Sequence, residues 1–313
     1  MQKLNFEKDP IIVSDALIEY DESILTPEAC DLLKPAFPKQ SEFDELLQKL
    51  EENKVNQDDL IASDIFIQTV GCVLGYQERL DSIVFKNEYK ETSLYILELI
   101  KIFYSCFDFI IDNQHFNQFL EIALAHGNYL NGTTVRGGAF GFKISSILKF
   151  AEMKSKDNKS NLLSFIVEYI FDDLKKHEIL DFINYLKLFK ELEIQPILEA
   201  TNNLNKKFSK VIALKTMCEE KKNELEEGDK TEEFINGFFD HAQKDINLLQ
   251  ESIDKIHSKY NDVVKFFGES KETLSEDTFI QIMKKFYDRL YESLEEYKKN
   301  KETKERKKKK KKK

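Results

Sequence analysis

Apolar positions late in the chain recur at Ile235, Phe239, Ala242, Ile246, Leu249, Ile253, Ile256, Tyr260, Val263 and Phe267, in alternating steps of four and three. A helix in a globular core shows a broader apolar face, so this narrow seam predicts a coiled-coil-like rod packed on one or two partner helices. The segment carrying Leu204, Phe208 and Val211 is a candidate partner within the chain. "TLSEDTF" then starts a last helix, striped by Phe279, Ile282, Phe286, Leu290 and Leu294. Earlier amphipathic patterns predict helices over 61–80, 93–111 and 116–130. The last of these puts Phe116, Phe119, Leu120, Ala123, Leu124 and Leu130 mostly on one stripe and stops at Asn131-Gly132. Another helix is predicted from near Gly141, with Phe142, Ile144, Ile147, Leu148 and Phe150 apolar; "KSKDNKS" interrupts it and "NLLSFIVEYIFDDL" follows. Period-two alternation is sustained nowhere, so the expected class is all-α with no sheet.

Punctuation supports this reading. Only five prolines occur, and the run from Pro38 to Pro196 is free of them, which leaves room for long helices. In "LTPEACDLLKPAFP", Thr26 suits an N-cap, Pro27 a first helical position, and Pro35 with Pro38 a stop. Glycine is distributed very unevenly: "GNYLNGTTVRGGAFGFK", residues 127–143, holds five of the ten glycines. Such a cluster marks a loop that needs positive φ or close approach of another chain.

Composition narrows the function classes. The window Tyr95 to Ile111 is the most apolar, yet Glu98, Lys101 and Asp108 within it point to a buried helix rather than a membrane span. The first residues hold no apolar signal core, so a cytoplasmic protein is expected. Cys30, Cys72, Cys106 and Cys218 are far apart and suggest neither a disulfide framework nor a zinc site. Net charge is −10, but residues 298–313 carry twelve Lys or Arg against Glu302 and Glu305, a local +10, so the rest carries −20. An acidic body argues against general nucleic-acid binding. The basic tail fits either a disordered solubilising end or attraction to acidic surfaces, filaments or anionic lipid among them.

Candidate chemistry is sparse. The glycine loop lacks the Gly-Lys-Ser/Thr ending of a phosphate loop, and Gly-x-Gly-x-x-Gly is absent. The five histidines have no metal-ligand spacing, and no Gly-x-Ser-x-Gly elbow occurs. Adjacent carboxylates such as Asp172 with Asp173 point in different directions on a helix and read as solvated faces. The expectation is a protein that is not an enzyme, with no catalytic residue, metal or cofactor. A binding reading remains: Lys143, Lys149, Lys154, Lys156 and Lys159 outnumber Glu152 and Asp157. Charge alone fits both an acidic partner and an ordinary solvated face.

The stretch "ALAHGNYLNGTTVRGGAFGFKISSILKFAEMKSKDNKSNLLSFIVEYI" resembles the signature of the formin homology two domain, the actin-assembly module of formins. The shared pattern is Gly-Asn-x-x-Asn, a glycine-bearing loop, Gly-Phe-Lys, a leucine-rich helix, Lys-Ser-x-Asp-Asn-Lys and Leu-Leu. Similarity extends upstream through "YDESILTPEACDLLKPAFP" and "YQERLDSIVFK", and downstream to "LSEDTFIQIMKKFYDRLYESLEEYKK". The resemblance implies an elongated all-α subunit with a coiled-coil-like C-terminal rod, two of which join head to tail around a filament barbed end. It implies a lasso-acceptor, dimer-contact surface at Gly127, Asn128, Asn131, Gly132, Gly137 and Gly138. It also implies actin contact by Lys154, with Lys143 and Lys149 added beside it.

On this basis residues 1–90 are expected to form a partial knob-like region, 91–200 a post-like region, 201–297 coiled-coil-like helices and 298–313 a basic disordered tail. The family's lasso, linker and knob isoleucine segment precede the point where this chain begins, and the chain has no tryptophan. The expected partners are therefore actin, and another formin chain or a second copy, with no specific nucleic acid. The alternative is a helical scaffold or formin fragment that pairs with other proteins, through the Ile235 to Phe267 seam, without assembling actin.

Overall fold

The computed structural model describes residues 10–52, 54–135 and 137–311, with backbone alone for 308–311. Its helices are α1 Pro10–Glu19, α2 Pro27–Leu33, α3 Gln40–Glu51, α4 Ala62–Gly71, α5 Tyr76–Asp112, α6 Gln114–Asn131, α7 Leu162–Glu168, α8 Ile183–Leu186, α9 Ile194–Glu220, α10 Thr231–Phe266 and α11 Glu276–Lys311. Among the described residues there is no strand, only an isolated bridge between Lys154 and Asn161. The fold is all-α.

Local sequence accounts for most boundaries. Thr26 accepts a bond from the Ala29 amide and Pro27 opens α2, while Asn113 caps α6 through the Phe116 amide at 2.9 Å. The patterns over 61–80 and 93–111 resolve differently from expectation. The chain breaks at Cys72–Gly75, and everything from Tyr76 to Asp112 forms one helix because no Gly or Pro interrupts it. The helix expected near Gly141 begins at Ile144 and is a 3₁₀ helix, Ile144–Ala151. Its buried residues Ile144, Ile147 and Phe150 are three apart, which matches three residues per turn.

The chain divides into two compact units, residues 1–96 with 199–250 and residues 97–198 with 251–313. The division falls within α5, α9 and α10, so the expected rod over 201–297 contributes to both units. In the first unit Val13, Leu17, Leu33, Val70 and Ile83 form an aliphatic core. An ion pair is buried beside it: Arg79 Nη2 lies 2.5 Å from Asp229 Oδ2, with side chains 1% and 4% exposed. Arg79 Nε also donates to the Leu74 carbonyl at 2.7 Å. Burial alone would raise the Asp229 pKa, but hydrogen bonds from Arg79 and Thr231 outweigh it and hold the carboxyl below its ordinary value.

The second unit is built on rings. Phe182 packs edge-on against Phe116 and Phe119 at 5.3 Å, and Phe119 meets Phe286 at 5.8 Å. Each fully buried Phe contributes roughly 1.5–3 kcal/mol of apolar burial.

The narrow seam on α10 is covered from within the chain. In the first unit Phe238 and Phe239 pack against Phe85 of α5 and Phe208 of α9, at 6.0 and 5.1 Å. In the second, Tyr260 packs against Phe107 of α5 and Phe279 of α11, at 5.5 and 5.8 Å. Ile235, Ala242, Leu249, Ile256 and Val263 are all buried. The apolar side chains of this seam are thus covered from within the chain, as the Leu204, Phe208 and Val211 segment offered.

The basic tail also departs from expectation. Instead of disorder after residue 297, α11 continues to Lys311. Lysine is a good helix former, and the first turns of the tail are tied down. Tyr297 stacks on Phe171 at 4.6 Å and donates to Asp172 Oδ1 at 2.6 Å, and Lys304 reaches Glu168 at 3.7 Å.

Candidate partner-binding surface

All elements of the candidate surface belong to the second unit. α6 ends at Gly132, whose backbone takes φ +52° and donates to the carbonyls of Asn128 and Tyr129. The loop beyond turns back on itself. The amide group of Asn128 closes it, donating through Nδ2 to the Ala139 carbonyl at 2.9 Å and accepting the Ala139 N–H on Oδ1 at 2.8 Å. Asn128 thus acts as a peptide-like clamp. At Gly137 a Cβ would fall 1.9 Å from the Gly132 carbonyl oxygen, so the polypeptide that lies close to this glycine is the chain itself. At Gly127 and Gly141 an added Cβ would meet nothing within 4 Å.

The clamp leaves apolar groups in solvent. Val135 and Phe140 are fully exposed, and Tyr129 is 85% exposed. On one side of α6 an apolar recess of about 590 Å³ is lined by His126, Tyr129, Leu130, Met153, Leu162 and Phe165. His126 is oriented by its Nδ1–H, which donates to the Ile122 carbonyl at 2.7 Å, and its ring meets Phe165 and Tyr169 edge-on at 5.3 and 5.1 Å. A large exposed apolar patch is unusual unless a partner covers it.

Beside the recess stands the turn Lys154 to Ser160. Ser155 N–H donates to the Ser160 carbonyl and Asn158 N–H to the Ser155 carbonyl, both at 2.9 Å. Asn158 occupies the left-handed region at φ +57°, which asparagine tolerates better than most residues. Ser155 Oγ–H donates to Asp157 Oδ1 at 2.6 Å, and hydrogen bonds from Ser155 and the Lys159 amide hold the Asp157 carboxyl below its ordinary pKa. Lys154, Lys156 and Lys159 are all exposed. Glu152, the other local acid, is engaged by Arg289 at 3.1 Å. The turn therefore presents a net cationic rim to an apolar recess, an arrangement suited to an acidic, partly apolar protein surface.

The formin homology 2 domain model matches residues 1–292. The chain belongs to the formin homology 2 domain family. Its curated relatives include Disheveled-associated activator of morphogenesis 1 of Mus musculus, 26% identical over 299 residues, which is 95% of this chain and 27% of that protein. Disheveled-associated activator of morphogenesis 2 of Gallus gallus is 27% identical over 303 residues, covering 96% and 27%. Formin-A of Dictyostelium discoideum is 25% identical over 287 residues, covering 91% and 23%. The chain spans about a quarter of the length of these relatives.

Within this formin homology 2 domain the nine residues singled out from sequence fall into distinct groups. Lys154 lines the apolar recess; Lys149 is exposed on the preceding 3₁₀ helix, and Lys143 is exposed at its N-cap. Gly127, Asn128 and Asn131 sit on α6 beside the recess-lining residues but do not line the recess, because a helix sends 126, 129 and 130 to one face and 127, 128 and 131 to another. Gly132, Gly137 and Gly138 shape the loop, Gly138 taking φ +66°. Sequence reasoning missed His126, Tyr129, Met153 and Phe165. The available signal was a set of large apolar side chains interleaved with the motif residues. No described helix is long and apolar enough to cross a membrane.

Proposed function

We propose that this formin homology 2 domain binds actin, engages filament barbed ends, and promotes or modulates nucleation and elongation without catalysis, as a cytoplasmic, cytoskeletal protein. The observation that carries the reading is the family match over residues 1–292. In support, Lys154 stands on an ordered, exposed turn whose neighbouring acid Glu152 is occupied by Arg289. Lys154 is the main contact to actin carboxylates, with Lys149 and Lys143 adding charge. The apolar recess beside α6 receives an apolar or aromatic segment of a second formin chain or second copy. In this reading Gly127, Asn128, Asn131, Gly132, Gly137 and Gly138 shape the dimer contact, with the Asn128 clamp fixing the loop that flanks it.

Growth of single fluorescent actin filaments from seeds tests this directly. Slowed, paused or tracked barbed ends are expected with the purified chain, and Lys154→Ala should weaken the effect about tenfold while helicity and melting stay unchanged. A chain without effect on barbed ends, alone or beside a full-length formin, would overturn the reading.

A further inference from the structure

A second groove, of about 380 Å³, lies on the opposite face of α6 and wholly within the second unit. Each residue advances roughly 100° around a helix, so Asn117, Leu120, Glu121 and Leu124 face away from His126, Tyr129 and Leu130, which line the recess. The apolar walls of the groove are Leu120, Leu124, Phe140, Phe142, Phe266 and Phe267. Phe142 meets Phe150 edge-on at 5.4 Å, and Phe267 packs on Phe279 at 6.4 Å, so two of the rings are anchored. Phe140 is fully exposed and Phe266 is 46% exposed. The polar groups of the groove lack donors. Asn117 Nδ2 donates to the Ile111 carbonyl at 3.1 Å, while its Oδ1 is buried and accepts nothing. Glu121, one turn further along, is exposed and makes no ion pair among the described residues. No Lys, Arg or His among the described residues lines the groove.

We propose that this groove binds an arginine side chain presented by a basic segment of a partner protein. A guanidinium is planar and weakly hydrated; it stacks on aromatic faces and meets a carboxylate through paired N–H groups. Glu121 supplies the carboxylate, Phe140 and Phe266 supply the faces, and the side-chain dipole of Asn117 adds negative potential. Charge complementarity selects this occupant over two others. A lysine ammonium is compact and strongly hydrated, so it gains less between rings. A neutral aromatic segment would dehydrate Glu121 without pairing it. At longer range, residues 1–297 carry −20, which draws a basic segment toward the body. Lys154, Lys149 and Lys143 line no part of this groove, so its occupancy is independent of the actin contact assigned to them.

The test titrates the full chain, nitrogen-labelled at asparagine, with peptides of sequence Gly-Ser-Leu-X-Leu-Ser-Gly in which X is arginine, lysine or tryptophan. Binding is read by NMR as movement of the Asn117 side-chain amide signal. The arginine peptide is expected to bind about tenfold more tightly than either of the others. Glu121→Gln keeps the size of an exposed side chain and removes its charge. It should weaken the arginine peptide about tenfold with melting unchanged, and Phe140→Ser should weaken it about threefold. Equal affinity for the arginine and lysine peptides, or unchanged affinity in Glu121→Gln, would overturn the proposal. Tighter binding of the tryptophan peptide would assign the groove to an aromatic segment and overturn it as well. An Asn117 signal that the arginine peptide leaves in place would do the same.

Discussion

Two loops of this molecule are built in opposite ways. The loop before α10 turns inward: Asp229 is buried against Arg79, and the Lys230 amide donates to the Ile18 carbonyl at 3.0 Å. The glycine loop after α6 turns outward, held by the exposed Asn128 clamp, with Val135 and Phe140 wholly in solvent. The first puts its polar groups inside and satisfies them. The second satisfies its backbone locally and leaves apolar side chains unsatisfied, which is costly unless another surface takes them up. Buried polar pairing is thus concentrated in one loop and exposed apolar surface in the other.

The contrast can be broken most severely at Arg79. Arg79→Ala leaves Asp229 as an unpaired buried carboxylate and removes donors from the Leu74 and Leu17 carbonyls. A loss of about 3–5 kcal/mol is expected, read as a lower urea midpoint. An unchanged midpoint would mean that the inward loop does not stabilise the first unit. The same pair sets a pH limb. The folded-state pKa of Asp229 is depressed, so its contribution is fully present above the unfolded value of about 3.9 and is lost as pH falls through the folded one. Below about pH 4 the unmodified chain should lose stability more steeply than Asp229→Asn, measured by melting across an acid series; parallel curves would count against the linkage.

Effects in the outward loop should be smaller. Gly137→Ala drives a Cβ into the Gly132 carbonyl, and the loop must open to admit it. A cost of about 1–2 kcal/mol is expected, with faster proteolytic nicking at 133–139, because an exposed loop relaxes more readily than a core. Asn128→Ala removes two exposed hydrogen bonds and should cost about 1 kcal/mol or less, read as faster amide exchange at Ala139 with nearly unchanged melting. Phe140→Ser should change stability by less than about 0.5 kcal/mol, while weakening association with a second formin chain in sedimentation velocity. A large loss of stability there would show that the side chain is buried in solution and would erase the contrast.

Much of this architecture was legible in the residues. The α10 seam, the α11 stripe and the caps at Thr26 and Asn131-Gly132 follow from periodicity and from single-residue preferences, which act over a few bonds. The Gly-Asn-x-x-Asn and Lys-Ser-x-Asp-Asn-Lys patterns identified the family and the turn that carries Lys154. The assignment of roles was harder. Asn128 is expected from sequence as a contact residue; its clamp on the loop was not legible there, because its partner Ala139 is eleven residues away. The tail reads as disordered by charge, yet aromatic stacking of Tyr297 on Phe171 holds its start in a helix.

Sequence by itself determined the helical class, the narrow seam, the glycine loop and the opposed charges of body and tail, since these depend on local steric preference and on counting. Tertiary structure decided what the seam packs against and which acids neutralise which lysines. It also set which face of α6 opens on the recess, and that Lys159 and Lys307 share one recess although 148 positions apart. Those outcomes depend on which surfaces meet when long helices fold back, and a one-dimensional pattern marks an apolar face without naming its partner.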